Sequence, residues 1–439
     1  FGSSWSAAPR EPPASSPARI ALPQAGGMNR LAGRAVEACW NAAAPVARRA
    51  PSAARRGASG APTPSPRRVV RKCTYSPPLR RGGAVLRVHW PRLLEFLKAE
   101  LYHLGKLKEE GPWPVITRET ILQHSTPVCA AKLIAEELPS RFATRINQMK
   151  ALVPEWESIP ELQEIHNMLW ISFRNLRLVE PKPADLSEFT ELISDLRQRH
   201  KNAVPIFAKA AKTLRERGIV DDASVDEWLG NCMRSRMGTE MCTAHYMSLL
   251  TDPDENHVGI VDTKCDPARI CAEAIRHVQS QFADSGVTIN LRVQQPDIEF
   301  SFISKYLFFI VEELLMNSAC ATLARAARTG EPPKAINVLV CEDPRRIGIK
   351  ISDEGGGVPV EHTDKIWEYM FSTTPADLEE HCDESSPLSG SGMGLPLCRL
   401  YTEYLGGSLH LMSMPGVGTD VYMFLNRIDA GAPSSNMTE

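Results

Sequence analysis

Residues 347–360 read IGIKISDEGGGVPV, a strand that ends in backbone without side chains. Ile347, Ile349 and Ile351 alternate, so they share one face of an extended chain. The strand ends at Asp353, beside Gly355, Gly356 and Gly357. A carboxylate held at a strand end accepts from a donor such as the exocyclic amine of a purine. Adjacent glycines let a flat base approach the main chain closely.

The flanking sequence supports that reading. Upstream, VTINLRV (287–293) alternates as a strand, and SFISKYLFFIVEELLMNSACATLARAAR (301–328) predicts a long apolar helix. Glu313 and Asn317, four residues apart, share a face of it. AINVLVCED (335–343) and the strand from Arg346 predict an antiparallel pair with a turn at Asp343–Arg345. Downstream, the Ser- and Glu-rich stretch 371–392 predicts a mobile lid. It runs into Gly390-x-Gly392-x-Gly394 and the helix LPLCRLYTEYL (395–405). GSLHLMSM (407–414) and GTDVYMFLNRI (418–428) predict two strands joined through Pro415–Gly416. The order implies an α+β sandwich, with helices on one face of a mostly antiparallel sheet.

These elements bring together the parts of a nucleotide site. Asp353 is the base acceptor, with Gly355 and Gly357 beside it. Asn317 offers a neutral oxygen to Mg²⁺, which takes its other ligands from water and phosphates. Glycines before a helix place backbone N–H groups where phosphate binds. Glu313, one turn before Asn317, reads as the base that takes a proton from an attacking hydroxyl. Gly418 and Thr419 begin the last strand.

Between Val88 and Leu250 the pattern is helical. Leu133, Ile134, Leu138, Phe142, Ile146, Met149 and Leu152 fall on one face, and Pro139 is expected to kink that helix or start a new segment. Ser224 and Glu227 have the spacing of a capping box. Several such helices with short polar joints predict an antiparallel bundle. Further upstream, residues 28–81 carry twelve Lys/Arg against one acid, Glu37. Arg- and Ser-rich, acid-poor composition predicts an organelle transit peptide, so roughly the first 85 residues are set aside. A net charge of −2 argues against a dedicated nucleic-acid binder, and no run of 18 apolar residues predicts a membrane span. The 11 cysteines show neither CxxC nor metal-ligand spacing and read as reduced thiols.

The order and wording of these motifs resemble the ATP fold shared by histidine kinases, gyrase- and MutL-type ATPases and heat-shock chaperones. EELLMNSACAT, ISDEGGGVP, GSGMGLPLCRLYTEYLGGSL and GVGTDVY are similar to the mitochondrial 2-oxoacid dehydrogenase kinases, as are EELPSRFATRI, RHKNAVP and HVGIVD in the helical half. The resemblance covers residues 88–428 and leans to the branched-chain member. It implies four segments: a basic N-terminus (1–85), a four-helix-bundle regulatory and docking domain (86–255), an ATP-binding kinase domain (256–430) and a short tail (431–439). It implies an ATP- and Mg²⁺-dependent protein-serine kinase of the mitochondrial matrix. The implied partners are a dehydrogenase decarboxylase component as substrate, a lipoyl-bearing acyltransferase core and a second copy of the chain; nucleic acid is not among them. The family's motif places the general base on Glu313, the Mg²⁺ ligand on Asn317, the adenine acceptor on Asp353 and the threonine near adenine on Thr419. Its phosphate loop falls on Gly390, Gly392, Met393, Gly394 and Leu395, with Ser372 and Thr373 as further nucleotide contacts.

The chain also departs from the family. Met316 and Cys320 stand where Lys and Arg are usual, and Glu240 where Arg is usual. Loss of two phosphate-neutralising cations keeps a second reading open, an ATP-binding scaffold with weakened catalysis. A histidine kinase is a third. Its bundle-end candidate, His245, lacks a following acidic residue. His200 lies where the family has a histidine directed at the nucleotide domain. Walker A, H-R-D and D-F-G motifs are absent, so any transfer uses the site described above.

Overall fold

A computed structural model describes residues 90–107, 116–251, 255–283, 285–372 and 392–428. The basic N-terminus, most of the expected lid with Thr373 and Gly390, and the C-terminal tail lie outside the described residues.

The three- and four-residue periodicity produces α1 (Trp90–Leu107), α2 (Arg118–Gln123), α3 (Pro127–Leu152), α4 (Pro160–Leu178), α5 (Ser187–Arg199), α6 (Ala203–Glu216) and α7 (Asp222–Leu249). α3 packs between α4 and α7, α6 closes the ring against the same two helices, and α1 lies outside α3. Ile134, Leu138, Phe142, Ile146 and Met149 are fully inside the bundle; Leu133 and Leu152 are half-buried at its margin. α3 runs unbroken through Pro139, so the expected new segment does not occur. The lost N–H costs about 3 kcal/mol, which burial of Leu138 and Phe142 on either side offsets. The cap of α7 also differs from expectation. Asp221, not Ser224, is the N-cap: its carboxylate accepts from Ser224 N at 2.9 Å and Ser224 Oγ at 2.8 Å. An ionised carboxylate is the better partner for a helix N-terminus.

The second half contains β1 (His257–Val258), β2 (Val261–Cys265), α8 (Pro267–Gln281), β3 (Ile289–Val293), β4 (Phe300–Phe302), α9 (Ser304–Thr329), β5 (Ile336–Glu342), β6 (Arg346–Asp353), α10 (Gly394–Tyr404), β7 (Gly407–Met414) and β8 (Gly418–Asn426). The main sheet has the order β3-β5-β6-β8-β7. β3 and β5 are parallel and the other pairs antiparallel. The expected hairpin turn is present, with Asp343 Oδ1 accepting from Arg345 N at 2.6 Å and Arg346 N at 2.7 Å. Ile347, Ile349 and Ile351 point inward with Val338, Val340, Val421, Met423 and Leu425, sharing one core with Leu307, Ile310 and Leu314 of α9. By length and hydropathy α9 is sufficient to cross a bilayer, but here it is a core helix beneath the sheet. The described cysteines are free thiols.

Buried polar contacts join the two halves. Arg118 of α2 donates to Ser301 O at 3.0 Å and Asn426 O at 2.8 Å, and its guanidinium lies over the Phe302 ring. Burial pushes its pKa down to about 10. Within the bundle, Glu240 of α7 meets Arg236 of the same helix and Arg197 of α5, each at 3.3 Å.

Candidate nucleotide site

α9 sets Glu313, Asn317, Ala321 and Arg325 at four-residue intervals, a row along one side of the helix. Around this row the sheet ends and the turns converge. Asp353 ends β6 in register with Thr419 of β8. A methyl group at Gly418 would strike the carbonyl oxygen of Asp353, so glycine is needed where β8 starts. A methyl at Gly355 would lie 2.7 Å from Ala321 Cβ. The glycine loop is thus laid directly on the helix.

The loop is held by main-chain and side-chain bonds. Gly416 N donates to Gly356 O at 2.7 Å and Gly356 N to Val417 O at 3.2 Å. Arg325 Nη1 donates to the carbonyls of Glu354, Gly416 and Val417 at 2.8–3.2 Å. Ser413 Oγ accepts from Val358 N at 2.7 Å and lies 3.1 Å from Thr419 Oγ1. Asp353 accepts from Gly355 N through Oδ1 at 2.8 Å and from Ser318 Oγ through Oδ2 at 3.0 Å. Burial raises its pKa, while the bonds from Gly355, Ser318 and Thr419 oppose that shift.

Glu313 lies against the first turn of α10. A methyl at Gly394 would come within 2.6 Å of Glu313 Oε2. No described side chain caps α10, leaving its first N–H groups available to an anion. Burial raises the Glu313 pKa to about 7, with a smaller contribution from the neighbouring Glu312 carboxylate. Glu312 is itself paired with His277 Nδ1 at 2.5 Å. Asn317 is exposed on the same side of α9.

The predicted site residues therefore separate into groups. Glu313 and Asn317 lie on α9, Gly394 meets Glu313, Gly355 lies on Ala321, and Asp353, in register with Thr419, is bonded to Ser318 of α9; Gly357 lies against Ser413 and Met414 instead. Gly392 has φ +67° and its carbonyl accepts from Met370 N at 3.0 Å, which brings the described residues on either side of 373–391 together. Met393 is fully buried. Leu395 is half-buried in α10, and Ser372 is exposed at the end of the described residues. Three residues escaped the sequence reading. Arg325 was visible as the fourth member of the row that starts at Glu313. Ser318 and Ser413 gave no signal, because their partners are remote in the chain.

Known proteins resemble the chain over both halves. Residues 118–262 match the profile of "Mitochondrial branched-chain alpha-ketoacid dehydrogenase kinase", and residues 303–428 that of "Histidine kinase-, DNA gyrase B-, and HSP90-like ATPase". A mitochondrial pyruvate dehydrogenase (acetyl-transferring) kinase of Arabidopsis thaliana is 30% identical over 312 residues, 68% of this chain and 85% of that protein. The chain belongs to the mitochondrial 2-oxoacid dehydrogenase kinase family. A Schizosaccharomyces pombe kinase of the same name is 33% identical over 256 residues, 55% of this chain and 60% of that protein. Isozyme 4 of Mus musculus is 28% identical over 343 residues, 73% of this chain and 82% of that protein. In this 2-oxoacid dehydrogenase kinase, Met316, where the resemblance leads to an expected Lys, is half-buried, and Cys320, where it leads to an expected Arg, is exposed one turn after Asn317.

Proposed function

We propose that this chain is an ATP-dependent protein-serine kinase that phosphorylates and inactivates a mitochondrial 2-oxoacid dehydrogenase complex, the branched-chain or the pyruvate one. The observation that carries the reading is the convergence of Glu313, Asn317 and Asp353 around α9, with the uncapped N-terminus of α10 facing Glu313. Asp353 accepts from the adenine amine, and the glycine loop leaves room for the ring. The first N–H groups of α10 and the main chain of residues 390–395 hold phosphate oxygens. Glu313, with its proton affinity near neutrality, receives the proton of the substrate serine.

The donor set also fits Mg²⁺. No cluster of three or more His, Cys, Asp or Glu able to hold a metal occurs among the described residues, and Asn317 offers one exposed oxygen. A cation that keeps water and nucleotide phosphates as its other ligands needs no more from the protein. Bound by Asn317, it would supply neutralisation of phosphate charge during transfer. The loss of cations at Met316 and Cys320 makes that contribution larger here, and favours the scaffold as the second reading.

The histidine-kinase alternative meets a physical obstacle. His245 is only 1% exposed and its Nε2 is bonded to His124 O at 3.0 Å. A phosphoacceptor must reach solvent.

The segment before α8 (86–255) is proposed to dock the lipoyl-bearing acyltransferase core, the segment 256–430 to bind nucleotide, and the chain to work as a homodimer. The test is transfer of labelled phosphate from ATP to serine of purified pyruvate and branched-chain dehydrogenases, with and without their lipoyl cores. Labelled serine in one of them is expected, faster with its core. Absence of label with both would favour the scaffold, equal rates would remove the docking role, and a monomer in light scattering would remove the dimer. The compartment is proposed to be the matrix, reached through the basic N-terminus. Residues 28–81 fused to a fluorescent protein should carry it into mitochondria; a diffuse cytosolic signal would refute this.

A further inference from the structure

A hydroxyl inside a helix ordinarily returns its proton to the carbonyl one turn back. Thr144, Ser172, Thr243 and Thr402 all do so in this chain, at 2.8–3.0 Å. Ser318 does not. It is 4% exposed in α9, and its Oγ donates out of the helix to Asp353 Oδ2 at 3.0 Å. The other carboxylate oxygen takes Gly355 N at 2.8 Å. Asp353 is therefore tethered from two sides, by α9 and by the glycine loop, and its plane is set before any ligand arrives. An ionised carboxylate has about four acceptor positions, so lone pairs remain for one further donor. The donor that fits is an N–H group on a ring edge. A ring with only acceptors there would leave the half-buried carboxylate facing a lone pair.

We propose that Ser318 is a positioning residue for nucleotide recognition, which holds the Asp353 carboxylate where it accepts from the exocyclic amine of a purine and so gives the site its preference for an amine-bearing base. The inference rests on the reading of Asp353 as the base acceptor. Its physical content is orientation. Without the hydroxyl, Oδ2 loses its tether to α9, and the carboxylate is left to the main-chain bonds from Gly355 and Thr419, free to turn about its Cβ–Cγ bond.

The experiment is calorimetric titration of the full chain with ATP and with purine riboside triphosphate, which lacks the amine. A hydrogen bond to a charged group is typically worth enough that the unmutated chain should bind ATP roughly tenfold more tightly or better. In Ser318→Ala, ATP affinity should fall roughly tenfold while that of the riboside triphosphate stays within about twofold. The preference then largely disappears. Ser318→Thr keeps the hydroxyl and should restore it. A merely structural role would weaken both nucleotides equally, and that result would overturn the inference. If the unmutated chain discriminates and Ser318→Ala discriminates just as well, Asp353 keeps its role and the inference alone fails. If the unmutated chain shows no preference, or binds neither nucleotide, the inference falls together with the reading beneath it.

Discussion

Glu313→Gln is expected to retain ATP binding and to lose at least about 10²-fold in phosphoryl transfer, the lower range for a positioned base. That corresponds to roughly 2.7 kcal/mol of barrier. Glutamine keeps the shape of the side chain against α10, so the N–H groups that begin that helix are undisturbed. What it removes is the ability to accept a proton. The buried setting makes the test sharper, because burial, and secondarily the Glu312 charge, raise the Glu313 pKa to about 7. The base must be ionised to act. Transfer by the unmutated chain should therefore rise with pH, reach half its plateau near pH 7, and fall about tenfold per unit below that. The residual rate of Glu313→Gln should lack this limb. Single-turnover transfer measured from pH 5.5 to 8.5 tests both statements. Undiminished transfer in Glu313→Gln would remove Glu313 from the chemistry.

The second large effect is expected at Glu240, through stability. Glu240 is 6% exposed and joins Arg236 on its own helix to Arg197 on α5. Lys305, in the first turn of α9, adds to the positive field around it. Burial alone would raise the Glu240 pKa, but Arg236, Arg197 and Lys305 outweigh it and the net shift is downward. Removing one member of a buried pair costs roughly 3–5 kcal/mol, because the remaining charge stays desolvated. Glu240→Gln should lose about that much in urea unfolding at neutral pH. The pH dependence has a definite sign. A carboxylate whose folded pKa is depressed stabilises fully above its unfolded value, about 4.3, and loses that contribution as pH falls through the lower folded value. The gap between the unmutated chain and Glu240→Gln should therefore begin to narrow below about pH 4.3 and close only below the lower folded value. Glu240→Arg, which restores the residue usual in the family, should do worse, since it gathers three guanidiniums. A stable Glu240→Arg chain would show that the ion cluster contributes nothing. The cluster also bears on function, because Lys305 begins the helix that carries Glu313 and Asn317.

Much of the candidate site's framework was legible because local periodicity and turn chemistry report it. The alternation of Ile347, Ile349 and Ile351 and the acidic turn at Asp343 mark the β5–β6 hairpin without reference to the rest of the chain. Four-residue spacing places Glu313 and Asn317 on one side of α9. Capping was less legible: Asp221 and Ser224 both suit a helix start, and only the folded geometry shows which carries the bonds. Pro139 misled for a similar reason, since its cost is local while the packing that outweighs it comes from other helices.

By itself, then, the sequence determined the long helices and the strands of the main sheet, the glycine-rich turns and the shared face of Glu313 and Asn317, all consequences of interactions spanning a few residues. Only the tertiary structure decided what depends on distant partners. It laid Ala321 against Gly355, turned the Ser318 hydroxyl to Asp353 across 35 positions, and set Glu313 against Gly394. It also paired Glu240 with Arg197 at a separation of 43. Bonds and buried charges of this kind form only when packing brings remote segments within about 3–4 Å, and no local pattern encodes that approach.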